Sequence, residues 1–299
     1  MKPKSWKKWL LTIIKISLFL LACYFIYEII EKNLTALKSI EIKNNAFFVG
    51  ILLASILFYV ALMMVLVFAW VVLLGFQEPQ RSAKVYFKSQ IMKYLPGNVF
   101  HFAYRHHQTK SANISHKQLG MTTAYESIVL VISALLISHL LFLWPEQITW
   151  LTNHLPIPIW ALLLIEVVGC MLLLKMLPGF GFLTTLFSYF VYFAGMGLIN
   201  YLLISALGFE SQPYLFITAC FALAWLAGYL IPGAPGGTGI REIVFIMLCA
   251  PKMAEYEALL IIALTRLISI VAESLIYFMA SKLSQPYRHF STWSGKTMP

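Results

Sequence analysis

Ile231-Pro232-Gly233-Ala234-Pro235-Gly236-Gly237-Thr238-Gly239 interrupts a long apolar run, which resumes at Ile240-Arg241-Glu242. Proline removes helix donors and glycine accepts backbone angles closed to other residues, so this stretch does not continue a regular helix. Its apolar flanks place it at membrane depth, where hydrocarbon offers no partner to the freed amides. Such backbone persists only where protein buries it or a wet cavity receives it, so the segment is expected to line a functional cavity.

The rest of the chain agrees with that setting. Of 299 residues, 60% are hydrophobic and 11% charged, and the mean hydropathy is +0.80. That is too little polar surface for a soluble globule, and the expected class is an all-α polytopic membrane protein forming one transmembrane domain over residues 1–299. All 12 acidic residues are glutamate. Chemistry that relies on aspartate is thereby excluded: the Walker B acid, the kinase catalytic base and the Ser-His-Asp triad. No P-loop or His-Glu-x-x-His run occurs either, and no enzymatic activity and no cofactor is expected. Cys23, Cys170, Cys220 and Cys249 stand singly in apolar segments and read as small core residues.

Apolar stretches of spanning length run over 9–30, 47–74, 119–144, 159–177, 182–207, 214–231 and 258–280. Residues 240–250 are too short to cross alone, and counting them as a half-helix gives about eight transmembrane or re-entrant helices. The basic start followed by apolar sequence imitates a signal peptide, but the run is long enough to span and no small-residue cleavage site closes it, so a retained first helix is expected. Lys and Arg crowd the N-terminus and the segment between the second and third helices, including Arg81, Lys84, Lys88, Lys93, Arg105, Lys110 and Lys117. The positive-inside rule puts these, both termini and a short tail over 281–299 in the cytoplasm. The net charge of +10 is mostly explained by that topology and does not call for nucleic acid; it makes the cytoplasmic face attractive to anionic headgroups.

A second interruption follows the semi-apolar basic segment that begins at Ala83. Tyr94-Leu95-Pro96-Gly97 is echoed by Tyr229-Leu230-Ile231-Pro232-Gly233, with Arg105 and Arg241 shortly downstream of each. The first broken segment covers 83–107 and the second 229–250. Paired Pro/Gly breaks in separate halves are the pattern of an internal repeat, and in transporters they point to a central substrate site.

Three groups of residues are candidates for that site. Gly236, Gly237, Thr238 and Gly239 open onto Arg241 and Glu242, where amides, a helix dipole and a guanidinium together suit a phosphate or carboxylate. The alternative is that these glycines serve close helix packing while Arg241 pairs with a glutamate. Asn98, His101 and Arg105 surround the first break and suit headgroup oxygens, whereas the histidines lack metal-ligand spacing, so no metal site is expected. Glu126, Arg266 and Glu273 lie inside helices, the last two seven apart on one face. Each is expected to face the bundle interior as an ion pair or, for Glu126, as a partner of Arg241 or Arg266 or a site for a coupling proton.

Lys93-Tyr94-Leu95-Pro96-Gly97-Asn98-Val99 with His101, and Pro232-Gly233-Ala234-Pro235-Gly236-Gly237-Thr238-Gly239-Ile240-Arg241-Glu242, resemble the two signature segments of the flippase-like transmembrane family. That family includes the membrane domain of the bacterial lysylphosphatidylglycerol synthases. The resemblance implies broken and re-entrant helices and a role in moving lipids or lipid-linked molecules across the bacterial inner membrane. It does not imply synthase activity, which belongs to a soluble domain that is not expected here, since only a short tail follows Ala280. The expected function is a flippase-like transporter that translocates an anionic phospholipid or lipid-linked headgroup. The rival is a non-transporting membrane partner that presents lipid to a separate envelope enzyme, docking through residues 77–117.

Overall fold

The computed structural model describes residues 45–94, 100–110, 114–146, 179–231 and 235–282, with isolated positions at Tyr24, Tyr27, Glu31, Leu34, Thr35, Leu164, Val167, Val168, Met171 and Lys175. The spans expected at 9–30 and 159–177 fall almost wholly outside the described residues, as do Asn98 and the tail beyond Lys282.

The described residues form eight α-helices and no strand. They are α1 (Asn45–Leu73), α2 (Pro79–Gln90), α3 (Phe100–Thr109), α4 (His116–Ser138), α5 (Gly179–Ala206), α6 (Tyr214–Leu230), α7 (Ile240–Cys249) and α8 (Glu255–Lys282). Short 3-10 turns follow α2 at Ile91–Tyr94, extend α4 over His139–Leu143, and precede α7 at Pro235–Gly237. Four helices, Asn45–Leu73, His116–Leu143, Gly179–Ala206 and Glu255–Lys282, are long and apolar enough to cross a membrane. Their apolar residues recur all round rather than on one stripe, which is how helices with no aqueous face read. Leu57, Phe187 and Phe278 are among the large side chains left exposed on the outside of the bundle.

Local chemistry sets where the helices stop. Gly75, Phe76 and Glu78 take positive φ after α1, and Pro79 then opens α2 at a position where its missing N–H is not needed. Ser115 caps α4 by accepting from the Gln118 amide at 3.2 Å. The α2–α3 hairpin is closed by Arg81, which donates to the carbonyls of Gln108 and Lys110 at 3.0 Å each.

Helix α1 lies along α5; α6 packs between α4, α5 and α7; and α8 packs against α1, α7 and α2. Small residues bring these backbones close. A Cβ on Gly195 would meet the Leu62 side chain at 2.6 Å, and one on Gly197 would meet Thr218 Oγ1 at 2.0 Å. The core between the helices holds Trp70, Phe193, Phe216, Phe221 and Phe245, all essentially buried. Among the polar links that cross it, Thr265 on α8 donates to Asn200 Oδ1 on α5 at 2.8 Å, and the Asn200 amide donates to the Met196 carbonyl at 2.7 Å. Both buried groups are thereby satisfied.

The two broken segments have the same plan, helix, break, helix. The turn Ile91–Tyr94 also packs directly against Pro235–Gly237. The breaks meet inside the bundle.

Candidate functional site

A cavity of about 90 Å³ lies where the breaks meet. Its wall takes Lys93, His101 and Arg105 from the first broken segment, and Gly236 and Arg241 from the second. A smaller cavity of about 20 Å³ adjoins it, sharing Tyr59, Lys93, Tyr192, Gly236 and Arg241 and adding Arg266 and Thr265. Since roughly 10–15 Å³ of such space suffices for a water, the larger cavity has room for several waters or one compact polar group.

The cavity sits at mid-height of the long helices. Tyr59 is the central residue of α1, Tyr192 stands at the middle of α5, and Arg266 and Glu273 straddle the middle of α8. Lys93 and Arg105, from the first broken segment, line the same cavity.

Three ion pairs line or support the wall. Arg105 on α3 approaches Glu126 on α4 at 2.8 Å, both side chains about 95% buried, and Tyr189 on α5 donates to the same carboxylate at 3.1 Å. The guanidinium also lies over the rings of Trp70 and Tyr86 at 4.4 and 4.6 Å. The angles between Arg105 and Glu126 leave Nε, Nη1 and Oε2 without a directed hydrogen bond, so the pair is held by charge and position rather than by a fork. Lys93 pairs with Glu273 on α8, which is fully buried and also accepts from the Tyr59 hydroxyl. Arg266 pairs with Glu242 at 2.9 Å and donates to the Gly236 carbonyl at 3.2 Å and to Thr238 Oγ1 at 2.5 Å.

The second break is thus tied from within. The other Glu242 oxygen accepts from the Gly239 amide at 2.6 Å, closing the first turn of α7, so that amide and the positive end of the helix are already met by a residue of the chain. Gly237 has φ of +75°, and a Cβ there would stand 2.8 Å from the Gly228 carbonyl oxygen and 3.0 Å from its Cα. Its role in the wall is close packing of the break on α6. Gly236, at φ of +58°, faces the Tyr94 ring and places its own carbonyl on Arg266.

Arg241 differs from the other cations. Among the described residues no carboxylate lies within ion-pair distance of it, and its Nε is buried with no hydrogen-bond partner. Its guanidinium lies over the Trp225 ring at 5.3 Å while the side chain borders both cavities. A ring face returns about 0.5–2 kcal/mol to a cation, less than the several kcal/mol that desolvating an unpaired charge costs, so the stacking offsets part of that cost and leaves charge to be met.

Of the residues picked out in the sequence, His101, Arg105, Gly236, Gly237, Thr238, Gly239, Arg241, Glu242, Glu126, Arg266 and Glu273 are gathered at or beside the two cavities; Asn98 lies outside the described residues. Glu126 pairs with Arg105, not with Arg241 or Arg266. His101 borders the cavity with its Nδ1 buried and unpartnered. Lys93, grouped by charge with the cytoplasmic basic residues, turns inward onto Glu273 instead, because a buried carboxylate at the break is a stronger partner than the charge rule anticipates. The tyrosines of the wall, Tyr59, Tyr86, Tyr189, Tyr192 and Tyr229, were not picked out. For Tyr59, Tyr189 and Tyr192 the signal is a hydroxyl well inside a long apolar helix, where an apolar residue is the default, whereas Tyr86 on the short α2 and Tyr229 at the end of α6 carry no such signal. Among the described residues no group of three or more His, Cys or Glu is placed to hold a metal.

No family model, no curated protein and no solved structure matches this chain.

Proposed function

We propose that the chain is a polytopic membrane protein that acts as a flippase-like transporter, holding the anionic headgroup of a phospholipid or lipid-linked molecule between its two broken segments. The observation that carries this reading is Arg241, a guanidinium without a carboxylate partner on the wall of a mid-height cavity. Four helices of spanning length support the membrane setting. The exposed apolar faces of α1, α5 and α8 suit contact with acyl chains. A headgroup phosphate would lie against Arg241, within reach of the Tyr192 and Tyr229 hydroxyls, which unlike those of Tyr59 and Tyr189 are not donated to a carboxylate, while the acyl chains remain in lipid. The 3-10 turns Ile91–Tyr94 and Pro235–Gly237 would give the hinge points about which the short helices rock. The basic residues of α2 and α3 and of the loop after them, including Lys84, Lys88 and Lys110, favour a cytoplasmic side for that hairpin in a bacterial inner membrane.

Reconstitution in liposomes tests this. Translocation of a fluorescent anionic phospholipid is expected for the wild type, with a fall of at least about tenfold in Arg241→Gln, which corresponds to losing roughly 1.4 kcal/mol of charge-assisted binding. Thermal stability in detergent should stay level or rise, because the substitution removes a cation that no carboxylate compensates. Equal translocation by wild type and variant would remove the basis of the proposal.

A further inference from the structure

We infer that the cavity selects its occupant by charge number, taking a phosphodiester headgroup of net charge −1 in preference to either a phosphomonoester dianion or a zwitterion. The inference rests on the reading just given and concerns which lipid class that site accepts.

The count of charges comes from the walls of both cavities together with the groups paired to them. Four cations, Lys93, Arg105, Arg241 and Arg266, face three carboxylates, Glu126, Glu242 and Glu273. Each carboxylate has its own cation, and the remainder is +1 on Arg241 among the described residues. The undescribed residues of the two breaks, 95–99 and 232–234, carry no ionisable side chain. Among the described residues, one negative charge therefore completes the site.

A second negative charge has no such place. To meet it, Lys93 would have to leave Glu273, and Glu273 is fully buried, so the gain at one anion exposes another with no counter-charge. Drawing Arg105 away from Glu126 fails for the same reason, since that carboxylate is also buried. A phosphomonoester carries about −1.5 to −2 at pH 7 and so meets this penalty, whereas a phosphodiester carries −1. A zwitterionic headgroup meets the converse problem. Its phosphate satisfies Arg241, but its ammonium adds a positive charge where each carboxylate is already matched by a cation, although Glu126 Oε2 and Glu273 Oε2 stay open as acceptors. A neutral polyol beyond the phosphate suits the remaining wall, where tyrosine hydroxyls and the unpartnered His101 Nδ1 offer hydrogen bonds without charge.

The test is competitive lipid binding to the full chain in detergent, read by native mass spectrometry with acyl chains matched. Phosphatidylglycerol is expected to outcompete phosphatidic acid and phosphatidylethanolamine by at least about tenfold. Glu126→Gln keeps the side chain's shape and an oxygen for Tyr189 while raising the site's charge from +1 to +2. In that variant the ratio of phosphatidylglycerol to phosphatidic acid should move by about tenfold or more toward phosphatidic acid. Glu273→Gln makes the same change at the other pair and serves if the first variant does not fold. Soluble diethyl phosphate, which carries the same single charge without acyl chains, should displace bound phosphatidylglycerol far less well than phosphatidylglycerol itself; equal displacement overturns lipid as the source of the charge. If binding depends on Arg241 but phosphatidylglycerol and phosphatidic acid compete equally, or if neither charge variant moves their ratio, the charge rule is wrong while the site stands. If no anionic lipid binding depends on Arg241, both fall.

Discussion

Replacing Arg105 by alanine is expected to cost about 3–5 kcal/mol of stability, because it strands Glu126 in the core without a cation. Glu126 is 4% exposed and retains only neutral tyrosine hydroxyls, those of Tyr189 and Tyr86, for a full negative charge. The loss has a second part: the guanidinium fills the space between Trp70, Tyr86 and Phe102, and alanine leaves that space empty. The double variant Arg105→Met/Glu126→Leu separates the two contributions. It restores apolar volume and removes both charges, and the pair it replaces lacks a directed fork of hydrogen bonds. Most of the lost stability should therefore return, as measured by thermal melting in detergent of wild type, both single variants and the double. A double variant no better than Arg105→Ala would mean that the cost lies in packing and not in the buried charge.

Gly237→Ala is expected to open the α6–α7 hairpin. Alanine at a φ of +75° costs about 1–2 kcal/mol by itself. Its Cβ would also press on the Gly228 backbone at 2.8 Å, and a main chain inside a helix cannot step aside as a side chain can. Overpacking of this kind adds about 1–3 kcal/mol. Gly208→Ala isolates the first part, since Gly208 has a similar φ of +73° with nothing within 4 Å of its would-be Cβ. The variant at Gly237 should melt well below the one at Gly208, and its lipid binding should fall as well, because a Cβ at Gly228 would stand only 3.2 Å from Arg241 Cβ: the break and the arginine rest on the same patch of α6. Equal melting of the two variants would show that the close approach carries no strain.

Much of the fold was legible because its signals are local. The apolar runs at 47–74, 119–144, 182–207 and 258–280 correspond to the four spanning-length helices within about three residues at each end. The shorter run at 214–231 corresponds to α6, and the Pro/Gly clusters mark where helices end. The inward facing of Arg266 and Glu273 also followed from their seven-residue spacing and the cost of a charge in hydrocarbon. The wall tyrosines and Lys93 were harder to see. A tyrosine in a spanning run reads as one more large apolar residue, and a lysine beside a break reads as one more cytoplasmic charge.

What the sequence by itself determined was a bundle of apolar helices with two interruptions, since helix length, proline and glycine act through the residues immediately around them. Only the tertiary structure decided which glutamate each cation meets. Arg105, Lys93 and Arg266 find their partners on other helices, 21, 180 and 24 residues away along the chain. Pairing at such distances depends on which helix faces lie together, a property of packing that no local pattern encodes. That packing also leaves Arg241 as the remainder, and the remainder gives the cavity its charge.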